Sequence, residues 1–141
     1  MFARGFAGEL KAGDRVLLNG PMGSGKSTFA RALIKALGVE QDSEGSPSFA
    51  IAHEYGSIVH LDLYRLKSEM EIEEAGIPAY FWEGESIVLV EWLASFPGFE
   101  EDVLNKSGSR GVWSLSFSFT QSSEVRSLEI RKIVARPQKA G

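Results

Sequence analysis

The chain contains no cysteine. That absence removes a disulfide framework and any thiolate zinc site, and it is compatible with a reducing compartment. Long apolar runs are missing as well: no stretch approaches the ~20 residues that cross a bilayer, and residues 1–10, MFARGFAGEL, lack the apolar core of a signal peptide. The expected setting is cytoplasmic, with no membrane attachment. Histidine is scarce, with only His53 and His60. Neither has a second histidine at ligand spacing, so both are read as structural. Positive charge is not in excess either: 15 Lys and Arg stand against 19 Asp and Glu, a net charge of −4. This disfavours broad, charge-driven nucleic-acid binding, so any RNA connection is expected to run through a protein partner.

What is present is an ordinary globular composition over 141 residues, 43% hydrophobic and 24% charged. The length suits one domain with a real core, expected over residues 1–134 with a frayed tail at 135–141. Its most informative segment is Gly20-Pro21-Met22-Gly23-Ser24-Gly25-Lys26-Ser27, which fits G-x-x-x-x-G-K-[ST] without mismatch. In such a loop the glycines let backbone N–H groups turn inward around phosphates. The lysine reaches the β and γ oxygens, and the Ser27 hydroxyl is a Mg2+ ligand.

The flanks agree with that reading. Arg15 to Asn19 is a short apolar run ending at the first glycine, and from Lys26 onward Phe29, Ala30, Leu33, Ile34 and Leu37 share one helical face. The loop therefore joins a strand to a helix N-terminus, where the helix dipole favours an anion.

Before the loop, Phe2, Phe6, Ala7 and Leu10 suggest a short opening helix ended near Gly13. After it, Gly38 stands where a helix C′ glycine belongs, and residues 39–47 read as loop. Residues 48–55 and 57–64 read as two strands with a hairpin at Gly56. Ser68 and Glu71 make a capping box for a helix to about Ala75, closed by Gly76. Ser86 to Val90 is a continuous apolar run, as in a strand buried on both faces, and it ends in Glu91. Beyond Pro97 the chain turns polar. Residues 111–119 then alternate large apolar with small residues, and 125–134 pairs with them across a turn at Gln121, Ser122 and Ser123. The expected fold is α/β, a three-layer P-loop NTPase-like arrangement around a mainly parallel central sheet with antiparallel additions.

A magnesium ion needs an octahedral oxygen shell, so the loop requires a partner acid. Glu91 sits at the carboxyl end of a central strand, where ligands bind in open α/β sheets. Asp62 follows the apolar Ile58 and Val59 in the manner of a Walker-B aspartate. Trp92, directly after Glu91, is either a core aromatic or a lining residue near the nucleotide. Ser46 to Phe49 lies where other phosphate-loop proteins place a γ-phosphate-sensing segment.

Taken together, these segments resemble the TsaE (YjeE) family, bacterial ATPases of tRNA N6-threonylcarbamoyladenosine biosynthesis. The resemblance rests on Gly20 to Ser27 followed by Thr28-Phe29, on Ser46-Pro47-Ser48-Phe49, on His60-Leu61-Asp62-Leu63-Tyr64-Arg65-Leu66, on Glu71 to Gly76 and on Leu89-Val90-Glu91-Trp92. It covers about residues 2–95, with a weaker match through the last strands. It implies that Gly23, Ser24, Gly25, Lys26, Ser27 and Thr28 bind ATP phosphates and that Ser27 and Glu91 hold Mg2+. Asp62 is then a second acid, at the metal's outer shell or positioning the attacking water. Ser48 and Trp92 are near the nucleotide, and Arg126 is on the adenine side. It further implies docking on the TsaB and TsaD proteins, with TsaD performing threonylcarbamoyl transfer and ATP hydrolysis resetting the assembly. The catalytic residues on this view are Lys26, Asp62 and Glu91.

Two departures stand out. The family usually has threonine where this chain has Ser48, and a threonine of the adenine pocket is expected where Met1 stands. Either adenine is held differently or the chain begins late. A small-molecule kinase would use the same loop to pass the γ-phosphate to an acceptor, although 141 residues leave little room for an acceptor lid. A nucleotide-dependent binding module without turnover is the third reading.

Overall fold

The computed structural model describes residues 2–38, 51–119 and 126–133. Ser48, the turn at residues 121–123 and the tail at 135–141 lie outside the described residues. The elements run α1 (Phe2–Ala7), β1 (Arg15–Asn19), α2 (Lys26–Ala36), β2 (Ala52–Tyr55), β3 (Ile58–Asp62), α3 (Glu69–Glu74), α4 (Ile77–Trp82), β4 (Ile87–Glu91), a 3-10 turn (Leu93–Ser95), α5 (Pro97–Asn105), β5 (Val112–Phe119) and β6 (Arg126–Ile133).

One sheet of order β2-β3-β4-β1-β5-β6 carries the fold. Its four inner strands are parallel, and β2 and β6 are antiparallel edges. Parallel strands need a crossover that covers the sheet, so both faces are buried and the central strands read as continuous apolar runs. The side-chain period of two then sorts each strand between two cores. Val16 and Leu18, Ile87 and Leu89 pack toward α1 and α2. Leu17, Val88 and Val90 face α3, α4 and α5 on the other side. Three layers result, each fully buried Leu, Val or Phe contributing roughly 1.5–3 kcal/mol.

The hairpin expected at Gly56 is present: Tyr55 pairs with Ile58, and Gly56 takes φ 67°, a left-handed value suited to glycine. The Ser68 side chain accepts from the Glu71 N–H at 3.2 Å and opens α3. The return bond of that box goes to Lys67 N–H, at 3.1 Å, rather than to Ser68. The opening helix stops at Ala7, earlier than its apolar spacing suggests, and Leu10 packs on the α1 and α2 core from the following turn.

Two helices were not expected from the sequence. Gly76, at φ 74°, ends α3 and at once serves as N-cap of α4, so one residue is both a stop and a start. In α5 only Phe99 and Val103 are buried. Its first turn is held from a distance by Glu69, whose Oε1 accepts the Phe99 N–H at 2.6 Å.

At the end of β1 remote from the phosphate loop, Arg15 is 1% exposed. Its guanidinium donates to Gly13 O at 3.1 Å, Ser107 Oγ at 2.6 Å and Phe81 O at 2.5 Å, tying β1 to α4 and to the chain after α5. Burial, then the nearby Arg110, lower its pKa to about 10 against an opposing pull from Asp14. Asp14 completes this base by accepting from Lys11 N–H, Gly111 N–H and the Trp113 indole N–H.

Candidate functional site

The opposite, carboxyl end of the sheet holds the candidate site. β1 ends at Asn19 and the chain turns at Gly20, with φ 144°. A Cβ at Gly20 would lie 2.5 Å from Phe117 O and 2.9 Å from Ser24 Oγ, so only glycine lets the loop lie against β5. Gly25, at φ 106°, is the N-cap of α2 and supplies no side-chain cap. The first N–H groups of an 11-residue helix are therefore left for a ligand. Ser24 is buried, and its Oγ has no hydrogen-bond partner among the described residues. An orphaned donor inside a Gly-rich turn is what a bound anion would satisfy.

Lys26 is only 5% exposed. Its Nζ donates to Gly20 O at 2.5 Å and stands 3.5 Å from the centroid of the Trp92 ring. Burial lowers its pKa, and the carboxylates of Glu91 and then Asp62 pull it back up. A cation held by one carbonyl and one aromatic face is poised to exchange both for phosphate oxygens.

Glu91 ends β4, 2% exposed. Ser27 Oγ lies 3.0 Å from its Oε1 and 3.2 Å from its Oε2, and His60 Nε2 lies 2.6 Å from Oε2. Burial pushes the Glu91 carboxyl up; the His60 hydrogen bond and charge, the Ser27 hydroxyl and Lys26 outweigh it, so its pKa falls below the ordinary carboxylate value. The parallel register sets Asp62 opposite Glu91. Its Oδ1 accepts the Tyr64 N–H at 3.1 Å. Hydroxyl and carboxylate oxygens side by side at the edge of an anion cradle are a hard donor set, suited to Mg2+ shared with phosphates and waters. No group of three or more His, Cys, Asp or Glu side chains that could hold a metal ion is found among the described residues.

Trp92 takes φ 70°, the one non-glycine residue with positive φ among the described residues. Such a conformation costs about 1–2 kcal/mol, and it lays the indole across the loop. Tyr64, 55% exposed, packs tilted against Trp92, with ring centroids 5.0 Å apart and planes at 49°.

An open cleft of about 270 Å³ results, lined by Gly23, Gly25, Lys26, Ser27 and Thr28 from the loop and by Asp62, Glu91 and Trp92 from the strand ends. Met22 and Tyr64 also line it. Ser24 is buried within the loop instead. Arg126 begins β6, and its side chain lies outside the described residues.

The sequence reads His60 as structural; the structure brings its Nε2 to 2.6 Å from Glu91 Oε2. Alternation carried the missing signal, because His60 and Asp62 share the face of Ile58.

A Gly-rich strand-to-helix loop beside a strand-end acid, on a sheet of this order, defines a P-loop NTPase-like protein. The chain belongs to the TsaE family, whose family model, described as threonylcarbamoyl adenosine biosynthesis protein TsaE, matches residues 1–126. It is similar to the tRNA threonylcarbamoyladenosine biosynthesis protein TsaE of Rickettsia bellii, 42% identical over 95 residues, covering 64% of this chain and 65% of that one. The Haemophilus influenzae protein of the same name is 39% identical, over 63% of this chain and 59% of its own length. For the Bacillus subtilis protein the values are 37%, 58% and 52%. The chain thus spans between about half and two thirds of the length of these relatives. A crystal structure of YdiB from Bacillus subtilis superposes with TM-score 0.66 at 25% identity, covering 94% of this chain and 76% of that one. No helix among the described residues is long and apolar enough to cross a membrane.

Proposed function

We propose that the protein binds ATP with Mg2+ and hydrolyses it slowly, as the cytoplasmic accessory ATPase of tRNA N6-threonylcarbamoyladenosine formation, docked on TsaB and TsaD. tRNA is met indirectly, through that complex. Family membership supports the pathway. The observation that carries the chemistry is the Ser27 Oγ to Glu91 Oε1 contact of 3.0 Å beside Lys26, at the mouth of a free helix N-terminus.

Each residue has a role in this reading. Gly23 to Thr28 enfold the phosphates through backbone N–H groups and hydroxyls, and Lys26 neutralises the β and γ oxygens. Ser27 and Glu91 hold Mg2+, which supplies charge neutralisation on the phosphate oxygens when bound. Glu91 is thereby committed to the metal and to His60. Asp62 is therefore the acid left to orient the water that attacks the γ-phosphorus as ADP departs. Trp92 shields the phosphates from solvent, while Ser48 and Arg126 attend the γ-phosphate and adenine sides.

Phosphate release by the protein alone, then with TsaB and TsaD added, tests the proposal. Slow release that changes with the partners is expected. Transfer of the γ-phosphate to a metabolite would overturn it in favour of a kinase.

A further inference from the structure

Glu91 is a demanding metal ligand because it is buried. A carboxylate that is 2% exposed meets little solvent, so the protein must supply the partner that fixes its rotamer. Ser27 is an incomplete partner, since its single O–H is shared between two oxygens at 3.0 and 3.2 Å. When that hydroxyl turns its lone pairs to a cation, the hydrogen it lends to Glu91 is redirected. His60 is placed differently. It comes from another strand, is 12% exposed and meets Oε2 alone, at 2.6 Å. The β3 to β4 register anchors it, pairing His60 with Leu89 and Asp62 with Glu91. Neither end of that contact lies on the phosphate loop.

We infer that His60 is a positioning residue for the metal site: its Nε2–H holds Glu91 Oε2, so that the carboxylate is presented to Mg2+ in one orientation. The inference rests on the proposed Mg2+ role of Glu91. His60 is not among the residues that line the cleft. It acts as outer partners of metal ligands do, by fixing the ligand's direction, and loss of such a partner typically lowers metal affinity about 10–100-fold.

The test reads binding rather than turnover. Calorimetric titration with a non-hydrolysable ATP analogue, in EDTA and across a Mg2+ series, gives the Mg2+ concentration at half-maximal strengthening of nucleotide binding. His60→Ala is expected to raise that concentration about 10-fold or more and to leave binding in EDTA unchanged. His60→Gln, whose amide N–H can reach the place of Nε2, is expected to recover most of the loss. Urea unfolding of both variants runs in parallel. Equal Mg2+ dependence in His60→Ala and the unchanged protein would overturn the inference, as would equal losses in the Ala and Gln variants that simply track stability. Glu91→Gln in the same titration separates the two levels. If it retains full Mg2+ dependence, the metal assignment itself fails; if it loses the dependence and His60→Ala does not, only the role of His60 fails.

Discussion

The ammonium of Lys26 stands 3.5 Å from the centroid of the Trp92 ring, while its hydrogen bond runs to the carbonyl of Gly20. The lysine of this loop is therefore satisfied without a ligand, and the phosphates of the proposed ATP would have to compete for it. Nucleotide binding should pull Lys26 from the indole and change the emission of Trp92. Titrating ATP and Mg2+ against intrinsic fluorescence checks this. The change should vanish in Trp92→Phe and persist when Trp82 or Trp113 is replaced, and persistence in Trp92→Phe would refute it.

Lys26→Ala should weaken ATP binding by about 10–100-fold, the equivalent of a charge-assisted bond of ~1.5–3 kcal/mol. Equilibrium dialysis with labelled ATP measures the loss. Because Lys26 is buried and its charged form is disfavoured there, the variant should fold at least as stably as the parent.

Glu91→Ala should reduce Mg2+-dependent phosphate release by more than about 10²-fold, as loss of a metal ligand forfeits several kcal/mol of charge stabilisation. Nucleotide binding in EDTA should change far less. Equal effects on both would mean that Glu91 serves the fold instead of the metal.

Acid should destabilise the protein partly through Glu91. Its pKa is lowered in the folded state from 4.5, so the stabilisation is fully present above that value and is lost as pH falls through the folded pKa. Urea midpoints measured from about pH 6 down to about pH 3 should fall less steeply below 4.5 in Glu91→Gln than in the parent.

Gly20→Ala should cost about 2 kcal/mol or more in urea unfolding, since its Cβ would meet the Phe117 carbonyl at 2.5 Å and β5 or the loop must shift. Gly5→Ala is the contrasting control, because a Cβ there meets nothing within 4 Å.

The elements legible in the sequence are those whose signals are local. β1, β4 and β5 announced themselves by apolar runs or alternation, and the phosphate loop by its motif. α4 escaped because six residues with Ile77 and Phe81 buried leave almost no period to read, and Gly76 had already been read as a stop. α5 escaped because its first turn is capped by Glu69, 30 residues away. In the site, loop, acids and tryptophan were legible as residue types at strand ends. His60 was not, since its contact with Glu91 exists only once β3 and β4 are paired in register.

The knot around Arg15 has a consequence for how the molecule can respond to a ligand. Two of the three hydrogen bonds from one buried guanidinium clamp β1 to α4 and to Ser107 at the sheet's far end. The sheet is thus anchored at its root, and the candidate site lies at its tip. In the proposed function, a triphosphate on the loop would meet, among the described residues, Trp92, Tyr64 and Met22 at that tip, so the displacements expected on binding are local ones there.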